Sequence, residues 1–331
     1  MEKIAVTGPF DAQMRSYIEG MLPEGFEVEY VTRTEDFNRL EDADYLIFRT
    51  LELRADTIKT LKKAKFIQRW GVGYDIVDIK AAGEQNIPVA VLSGINSTQV
   101  AELTIMHMLA IYRNVISMHN GILEGKWPRN EFMSRSYTIN GKLVGVLGIG
   151  NIGRKVAQLV KPFGAEVQYF DQKRLEPEQE KEFGVSFASL EELFKTSDIV
   201  SLHIPLSEGT AGLINKNTIS MMKSTAIIIN TSRGGVINEK DLTEALISGR
   251  ILGAGLDVFE NEPIPSDSPL RSLNNVVLTP HVGGNTVDNN GNLARRAIDN
   301  IVKVSRGEAV SEADLVNAQY LRNNNGTYSL Q

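Results

Sequence analysis

The chain contains no cysteine. A disulfide framework, a thiolate nucleophile and any zinc site built on cysteine are therefore excluded. Only four histidines are present, with no H-E-x-x-H pair and no cage of carboxylates, so no metal is expected. No apolar run approaches the roughly 18 residues that a membrane span needs, and no membrane partner is expected. Met1 leads almost at once into a strand-like run, Ile4 to Thr7. That leaves no room for a secretory leader, and a cytoplasmic location is the expectation. Positive charge is not in excess: 35 Lys and Arg stand against 41 Asp and Glu, a net charge of −6. With no basic stripe either, a nucleic-acid partner is not expected. Ser232 has no G-x-S-x-G context, which argues against a serine hydrolase. Internal repeats and low-complexity segments are lacking too.

What is present is ordinary in amount and specific in arrangement. A chain of 331 residues, 42% hydrophobic and 23% charged, is long enough for two globular domains. The most informative stretch runs from Lys142 to Asp171. Leu143 to Leu147 reads as a buried parallel strand, followed by Gly148, Gly150 and Gly153 in G-x-G-x-x-G spacing. Ile152, Val156, Leu159 and Val160 follow at helical spacing, with Gly164 as the stop. A second strand, Glu166 to Phe170, ends on Asp171. Glycine turns are common, so the spacing alone is weak evidence. With two strands, a helix and an acid in place, it is the dinucleotide-binding fingerprint.

Gly148 permits the tight turn, Gly150 lets the backbone approach a pyrophosphate, and Gly153 allows close helix–strand packing. The N–H groups of Asn151 and Ile152 open the helix and face the diphosphate charge. Asp171 is placed to take the adenosine ribose hydroxyls. A 2′-phosphate about 4 Å from this carboxylate would meet repulsion of about 4 kcal/mol per charge pair at an effective dielectric of 20, so NAD is expected rather than NADP. Lys173 and Arg174 read as solvated loop charges.

Short apolar runs alternate with helical patterns before and after this unit. Expected strands are Ile4–Thr7, Val28–Tyr30, Tyr45–Arg49, Phe66–Trp70 and Val89–Leu92 in the first part. Asp198–Ile204, Ala226–Thr231, Gly253–Val258 and Val276–Thr279 follow in the second. Expected helices include Met14–Leu22, Thr57–Ala64, Leu190–Lys195, Lys240–Ser248 and Asn292–Val304. This rhythm predicts an α/β protein of two doubly wound parallel-sheet domains. A Rossmann NAD-binding domain, 99–287, is inserted in a flavodoxin-like substrate domain, 1–98 and 288–331. The end, Asn323 to Gln331, is polar and expected to be loose. From Val100 an apolar segment runs to Trp127 with few breakers before Gly121. It is expected to be one long helix, opened by Ser97 and Thr98, that packs on two surfaces. His107 and His119 lie on it and read as structural.

Ligands of open α/β sheets sit beyond the carboxyl ends of the strands. Gly71-Val72-Gly73 follows the fourth strand and reads equally well as an anion-holding turn or a plain tight turn. Thr231-Ser232-Arg233, Asp257 through Glu262, and His281-Val282-Gly283-Gly284 follow three strands of the second domain. His203 closes another before Pro205; both are candidate cofactor contacts, and His203 reads as core or cofactor wall rather than as catalytic. Arg233 suits a carboxylate held with bidentate geometry. His281 suits proton delivery to a carbonyl, and a nearby Glu262 would orient its ring and favour imidazolium.

Assembled, the chain resembles the D-isomer-specific 2-hydroxyacid dehydrogenases over nearly its full length. VGVLGIGNIG at 144–153, SLHIPLSEGTAGLIN at 201–215, INTSRGGVINEKDLTEALISGRILGAGLDVFENEP at 229–263 and LTPHVGGNT at 278–286 carry the likeness. The resemblance implies Arg233 as substrate-binding residue, His281 as acid/base and Glu262 as its partner. It implies Gly71–Gly73 as the carboxylate cradle, and cofactor contacts at Asn151, Ile152, Asp171, Thr231 and Asp257. It implies a homodimer through the region 100–128. The likeness is greatest to 3-phosphoglycerate dehydrogenases and glyoxylate/hydroxypyruvate reductases. Arg49, Arg69 and Arg129 stand where the phosphoglycerate enzymes carry arginines, and read either as a distal anion site or as scattered surface charge. The C-terminal regulatory domain of the longer phosphoglycerate enzymes is missing, so serine feedback is not expected. Formate dehydrogenases pair a glutamine with the histidine and phosphite dehydrogenases carry a lysine in the glycine loop, and neither is matched here. An NAD(H)-sensing corepressor-like protein on the same scaffold is the alternative to an enzyme.

Overall fold

Every pairing between named strands is parallel. The structure is a computed structural model that describes residues 1–322; the polar tail from 323 lies outside the described residues. The chain divides into two units, Met1–Asn96 with the segment from Asn285 on, and Ser97–Gly284.

The first unit holds β1 (Glu2–Thr7), β2 (Phe26–Val31), β3 (Tyr45–Phe48), β4 (Phe66–Arg69) and β5 (Val89–Ala90). Their order is β2-β1-β3-β4-β5, the flavodoxin-like arrangement. Strands buried on both faces read as continuous apolar runs rather than alternating ones, and β3, Tyr45-Leu46-Ile47-Phe48, is fully buried. Ile4 and Val6 face the helix Asn290–Ser305, which brings Leu293, Ala297 and Ile301 at helical spacing. Ala5 faces the opposite cluster with Ile58 and Ala82.

The second unit holds β6 (Leu143–Leu147), β7 (Glu166–Phe170), β8 (Ser186–Phe187), β9 (Ile199–Leu202), β10 (Ile227–Asn230), β11 (Gly253–Leu256) and β12 (Val276–Leu278). The order β12-β11-β10-β9-β6-β7-β8 is the Rossmann arrangement with one strand added. Strand order reverses between β6 and β9, which opens the ligand crevice at their carboxyl ends. Ile227 and Ile229 enter one core with Val144 and Val156; Ile228 enters the other with Val200 and Leu242.

Two expectations need correction, and two elements had no expectation. The long segment is two helices, Ser97–Tyr112 and Val115–Leu123, because Asn114 takes a left-handed φ of 51° between them. Asparagine tolerates that conformation, and Asn114 Nδ2 donates to the Arg135 carbonyl at 3.0 Å. Most strands end a residue or two earlier than their apolar runs; β9 covers 199–202 rather than 198–204. The edge strand β8 has only two residues and had no readable pattern. The helix Pro177–Phe183 was not expected either. Its residues are polar, and it is defined by proline in its first turn and a capping box between Glu176 and Gln179.

Candidate active site

The glycine turn is built as its spacing requires. Gly148 has φ 96°, and a Cβ there would meet the His203 carbonyl oxygen at 2.7 Å. A Cβ on Gly153 would lie 2.0 Å from the Gly148 carbonyl oxygen, so this glycine sets the approach of helix to strand. At Gly150 the space is open, and it precedes the helix Asn151–Val160 without a side-chain cap. A cavity of about 440 Å³ adjoins it, lined by Gly150, Arg154, Asp171, Lys173 and Gln179 among others. Asp171 Oδ2 accepts from the Ile149 N–H at 2.8 Å, which fixes the carboxylate at the cavity wall. Open backbone at a helix N-terminus beside a fixed carboxylate suits the diphosphate and ribose of a dinucleotide. Arg174 is held by Glu180 through two hydrogen bonds, 2.8 and 3.1 Å.

Three loops follow β10, β11 and β12. Asn230, the fully buried last residue of β10, shapes the first loop. Its Nδ2 donates to the Arg233 carbonyl at 2.9 Å, and its Oδ1 accepts from the Ser232 N–H at 3.0 Å and hydroxyl at 2.8 Å. Arg233 Nη1 donates to the Ser232 carbonyl at 2.7 Å. Gly234 lets this loop lie against the next, since a Cβ there would fall 1.9 Å from the Phe259 backbone. Thr231 Oγ1 meets Thr104 Oγ1 at 2.9 Å.

Glu262 and His281 come from the other two loops. His281 Nδ1 lies 2.7 Å from Glu262 Oε2, and both side chains are open to solvent. Burial pushes the Glu262 carboxyl up. The hydrogen bond and charge of His281, the Phe259 N–H and the charge of Arg233 together outweigh it and hold Glu262 below the usual carboxylate range. Arg233, Glu262 and His281 are therefore one electrostatic cluster. Nδ1 is turned to Glu262, so Nε2 is the other ring nitrogen. His281 has φ 52°, and its N–H donates to the Asp257 carbonyl at 2.8 Å and the Thr279 carbonyl at 3.1 Å. Asp257 also takes the Val282 and Gly283 N–H groups.

His203 is not placed to titrate near neutrality. Its Nε2 meets Ser201 Oγ at 2.8 Å, Nδ1 is buried with no partner among the described residues, and burial pushes the ring down to about 3. Pro205 is exposed beyond it. In the first unit Arg69 donates to backbone carbonyls around it. Nε donates to the Gly73 carbonyl at 2.6 Å, and Nη1 to the carbonyls of Phe48 and Trp70 at 3.2 Å and of Arg49. Arg49 Nη1 donates to the Pro9 carbonyl at 2.8 Å. Arg129 is exposed in the second unit. Asn230 and Thr279 were not singled out from the sequence. Their signal was position, a polar residue closing or directly following an otherwise apolar strand.

Comparison with known proteins shows the family. Residues 105–283 match the family described as D-isomer specific 2-hydroxyacid dehydrogenase, NAD binding domain. A glyoxylate reductase of Korarchaeum cryptofilum is 38% identical over 86% of this chain and 86% of its own. A D-3-phosphoglycerate dehydrogenase of Methanocaldococcus jannaschii is also 38% identical, over 93% of this chain, which spans 58% of that relative. Among solved structures, an NAD-dependent formate dehydrogenase from Staphylococcus aureus in complex with NAD superposes with a TM-score of 0.83 at 27% identity. The alignment covers 95% of this chain and 98% of that one. The site is that of a dinucleotide-dependent oxidoreductase acting on a small 2-keto or 2-hydroxy acid by hydride transfer. The chain belongs to the D-isomer-specific 2-hydroxyacid dehydrogenases.

Proposed function

We propose that the protein reduces a small, unphosphorylated 2-keto acid to its D-2-hydroxy acid with NADH, and catalyses the reverse oxidation. The pairing of His281 with Glu262 inside the field of Arg233 carries this reading. When bound, the nicotinamide cofactor supplies or accepts the hydride at the substrate's C2. Arg233 holds the substrate carboxylate through its planar fork and polarises the keto oxygen. His281 Nε2 delivers the proton to that oxygen, and Glu262 keeps Nδ1 protonated and the ring oriented. Glu262 rather than glutamine beside the histidine speaks against formate as substrate. Gly71, Val72 and Gly73 are assigned to the substrate carboxylate; Arg69 draws in the Gly73 carbonyl and the Gly71 N–H donates to the Arg69 carbonyl at 3.1 Å, so the Val72 and Gly73 N–H groups are the assigned anion donors. The commitment of Arg69 and Arg49 to carbonyls supports an unphosphorylated substrate over one that needs a distal anion pocket of Arg49, Arg69 and Arg129.

Gly148, Gly150, Asn151, Ile152 and Gly153 are assigned to the diphosphate and Asp171 to the adenosine ribose. His203, Pro205, Thr231, Ser232, Asp257, Gly283 and Gly284 are assigned to the remaining wall of the NAD site. The fixed Asp171 carboxylate, with Arg174 engaged by Glu180, favours NAD over NADP. A homodimer is the arrangement that would cover Ile116, Leu123, Trp127 and Met133, which are exposed, the last three by more than 70%.

The test is oxidation of NADH and NADPH against glyoxylate, hydroxypyruvate, pyruvate, 3-phosphohydroxypyruvate and sulfopyruvate. Preferred turnover of one of the first three, at about 1–10³ s⁻¹, is expected with NADH. Preference for the phosphorylated or sulfonated acid would restore the anion-pocket reading. Binding of NADH without turnover of any of them would favour an NAD(H) sensor.

A further inference from the structure

The loop that carries His281 is held from beneath by a chain of polar groups that begins in the core. His107 is fully buried on the helix Ser97–Tyr112. Its Nε2 lies 3.0 Å from Thr279 Oγ1. That hydroxyl donates to Asp257 Oδ1 at 2.6 Å. The same carboxylate accepts from the Val282 N–H at 3.0 Å on Oδ1 and from the Gly283 N–H at 2.8 Å on Oδ2. The three groups thus lead from the core to the two residues that follow His281. A left-handed φ is uncommon for a residue with a side chain, and it persists where surrounding bonds over-determine it.

The chain of donors has one direction. A threonine hydroxyl has a single proton, and Thr279 gives it to Asp257. Its contact with His107 must then be accepted, so His107 carries its proton on Nε2. Burial pushes the His107 ring down to about 4, against the smaller opposing pull of Asp257, so the ring is neutral near pH 7. Nδ1 is then bare. It is buried, with no partner among the described residues. The fold has also been opened for this ring. A Cβ on Gly255 of β11 would meet His107 Cβ at 2.7 Å and Nδ1 at 2.9 Å. A leucine would fill the space without leaving a nitrogen unpaired, and an unpaired buried polar atom is unfavourable. A core that keeps histidine here needs its donor.

We propose that His107 is a positioning residue for the acid–base histidine. By donating to Thr279 it fixes the Asp257 carboxylate that sets the backbone of the His281–Gly283 loop. The catalytic part of this inference rests on the assignment of His281 as proton donor; the structural part does not.

Two variants separate donor from volume. His107→Leu keeps the bulk and removes the donor, and His107→Gln keeps an N–H near the position of Nε2. In His107→Leu, amide exchange at Val282 and Gly283 should quicken by about tenfold, the scale of one lost hydrogen bond. The amides of Ile227–Asn230 should be unchanged. With a 2-keto acid that the wild type reduces, kcat should fall by about tenfold while KM for NADH holds. His107→Gln should restore most of both. Wild-type exchange and turnover in His107→Leu would overturn the proposal, and so would a His107→Gln variant as impaired as His107→Leu. Should His107→Leu not fold, ¹⁵N histidine spectra of the wild type decide: the Nε2–H form of His107 is expected at pH 7, and the Nδ1–H form would overturn the proposal. If the wild type reduces no 2-keto acid, the proposed function fails, while amide exchange still reads the effect of His107 on the loop.

Discussion

Arg69 in the first unit and Asp257 in the second both gather a loop at the carboxyl end of a parallel strand, with charges of opposite sign. The Arg69 guanidinium collects the carbonyls of Phe48, Arg49, Trp70 and Gly73. The Asp257 carboxylate collects the N–H groups of Val282 and Gly283 and the hydroxyl of Thr279. A planar fork of five donors suits several carbonyls, and a carboxylate with about four lone-pair sites suits converging N–H groups. Charge near a site is not by itself a ligand contact. From the sequence Arg69 reads either as part of a distal anion site or as scattered surface charge, and its hydrogen bonds to four carbonyls are those of a scaffold. Arg233 is the cation that faces the Glu262–His281 pair.

The sharpest way to break this contrast is to find that Arg233 is scaffold as well. Arg233→Ala should lower kcat/KM for the keto acid by roughly 10²–10³, as loss of a charge-stabilising donor does elsewhere, with NADH binding kept and thermal unfolding little changed. A collapse in stability, or loss of NADH binding, would place Arg233 with Arg69. The converse substitution, Arg69→Met, should lower unfolding free energy by about 2–4 kcal/mol in denaturant titrations, because several carbonyls lose a charged donor together. Unchanged stability would remove its scaffold role.

Acid sharpens a second contrast, between histidines buried neutral and the exposed His281. His107 and His203 are held down to about 4 and about 3 by burial. The unfolded chain takes up those protons near pH 6.5, before the folded chain does. Their contribution is therefore complete above about pH 6.5 and is lost as pH falls toward 4 and 3. Between pH 7 and 5 the wild type should lose on the order of 1–2 kcal/mol per buried histidine. His203→Gln should show a shallower decline in melting temperature over that range, and an unchanged slope would contradict its neutral burial. The smallest effect is expected at the cofactor. Asp171→Asn should narrow the NADH/NADPH preference in kcat/KM, and equal use of both by the wild type would remove the carboxylate as discriminator.

The region from β6 to β7 was legible because each of its features is local: two apolar runs, glycines at fixed spacing and an acid at the end. Arg233, Glu262 and His281 were legible as types, since each follows a strand and the carboxyl ends of those strands converge. The break at Asn114 was not legible, because one residue in a left-handed conformation ends a helix whose apolar pattern continues through it. The helix Pro177–Phe183 was hidden by its polarity. The bonds of Arg69 and the line His107–Thr279–Asp257 join residues far apart in the chain, and no spacing rule reveals them.

On the proposed function, His281 supplies the proton. The most direct measurement is NADH oxidation by His281→Asn with a keto acid that the wild type reduces, beside NADH binding by fluorescence. NADH affinity should hold while reduction falls by about 10²-fold or more. Reduction at the wild-type rate with His281 gone would contradict the account.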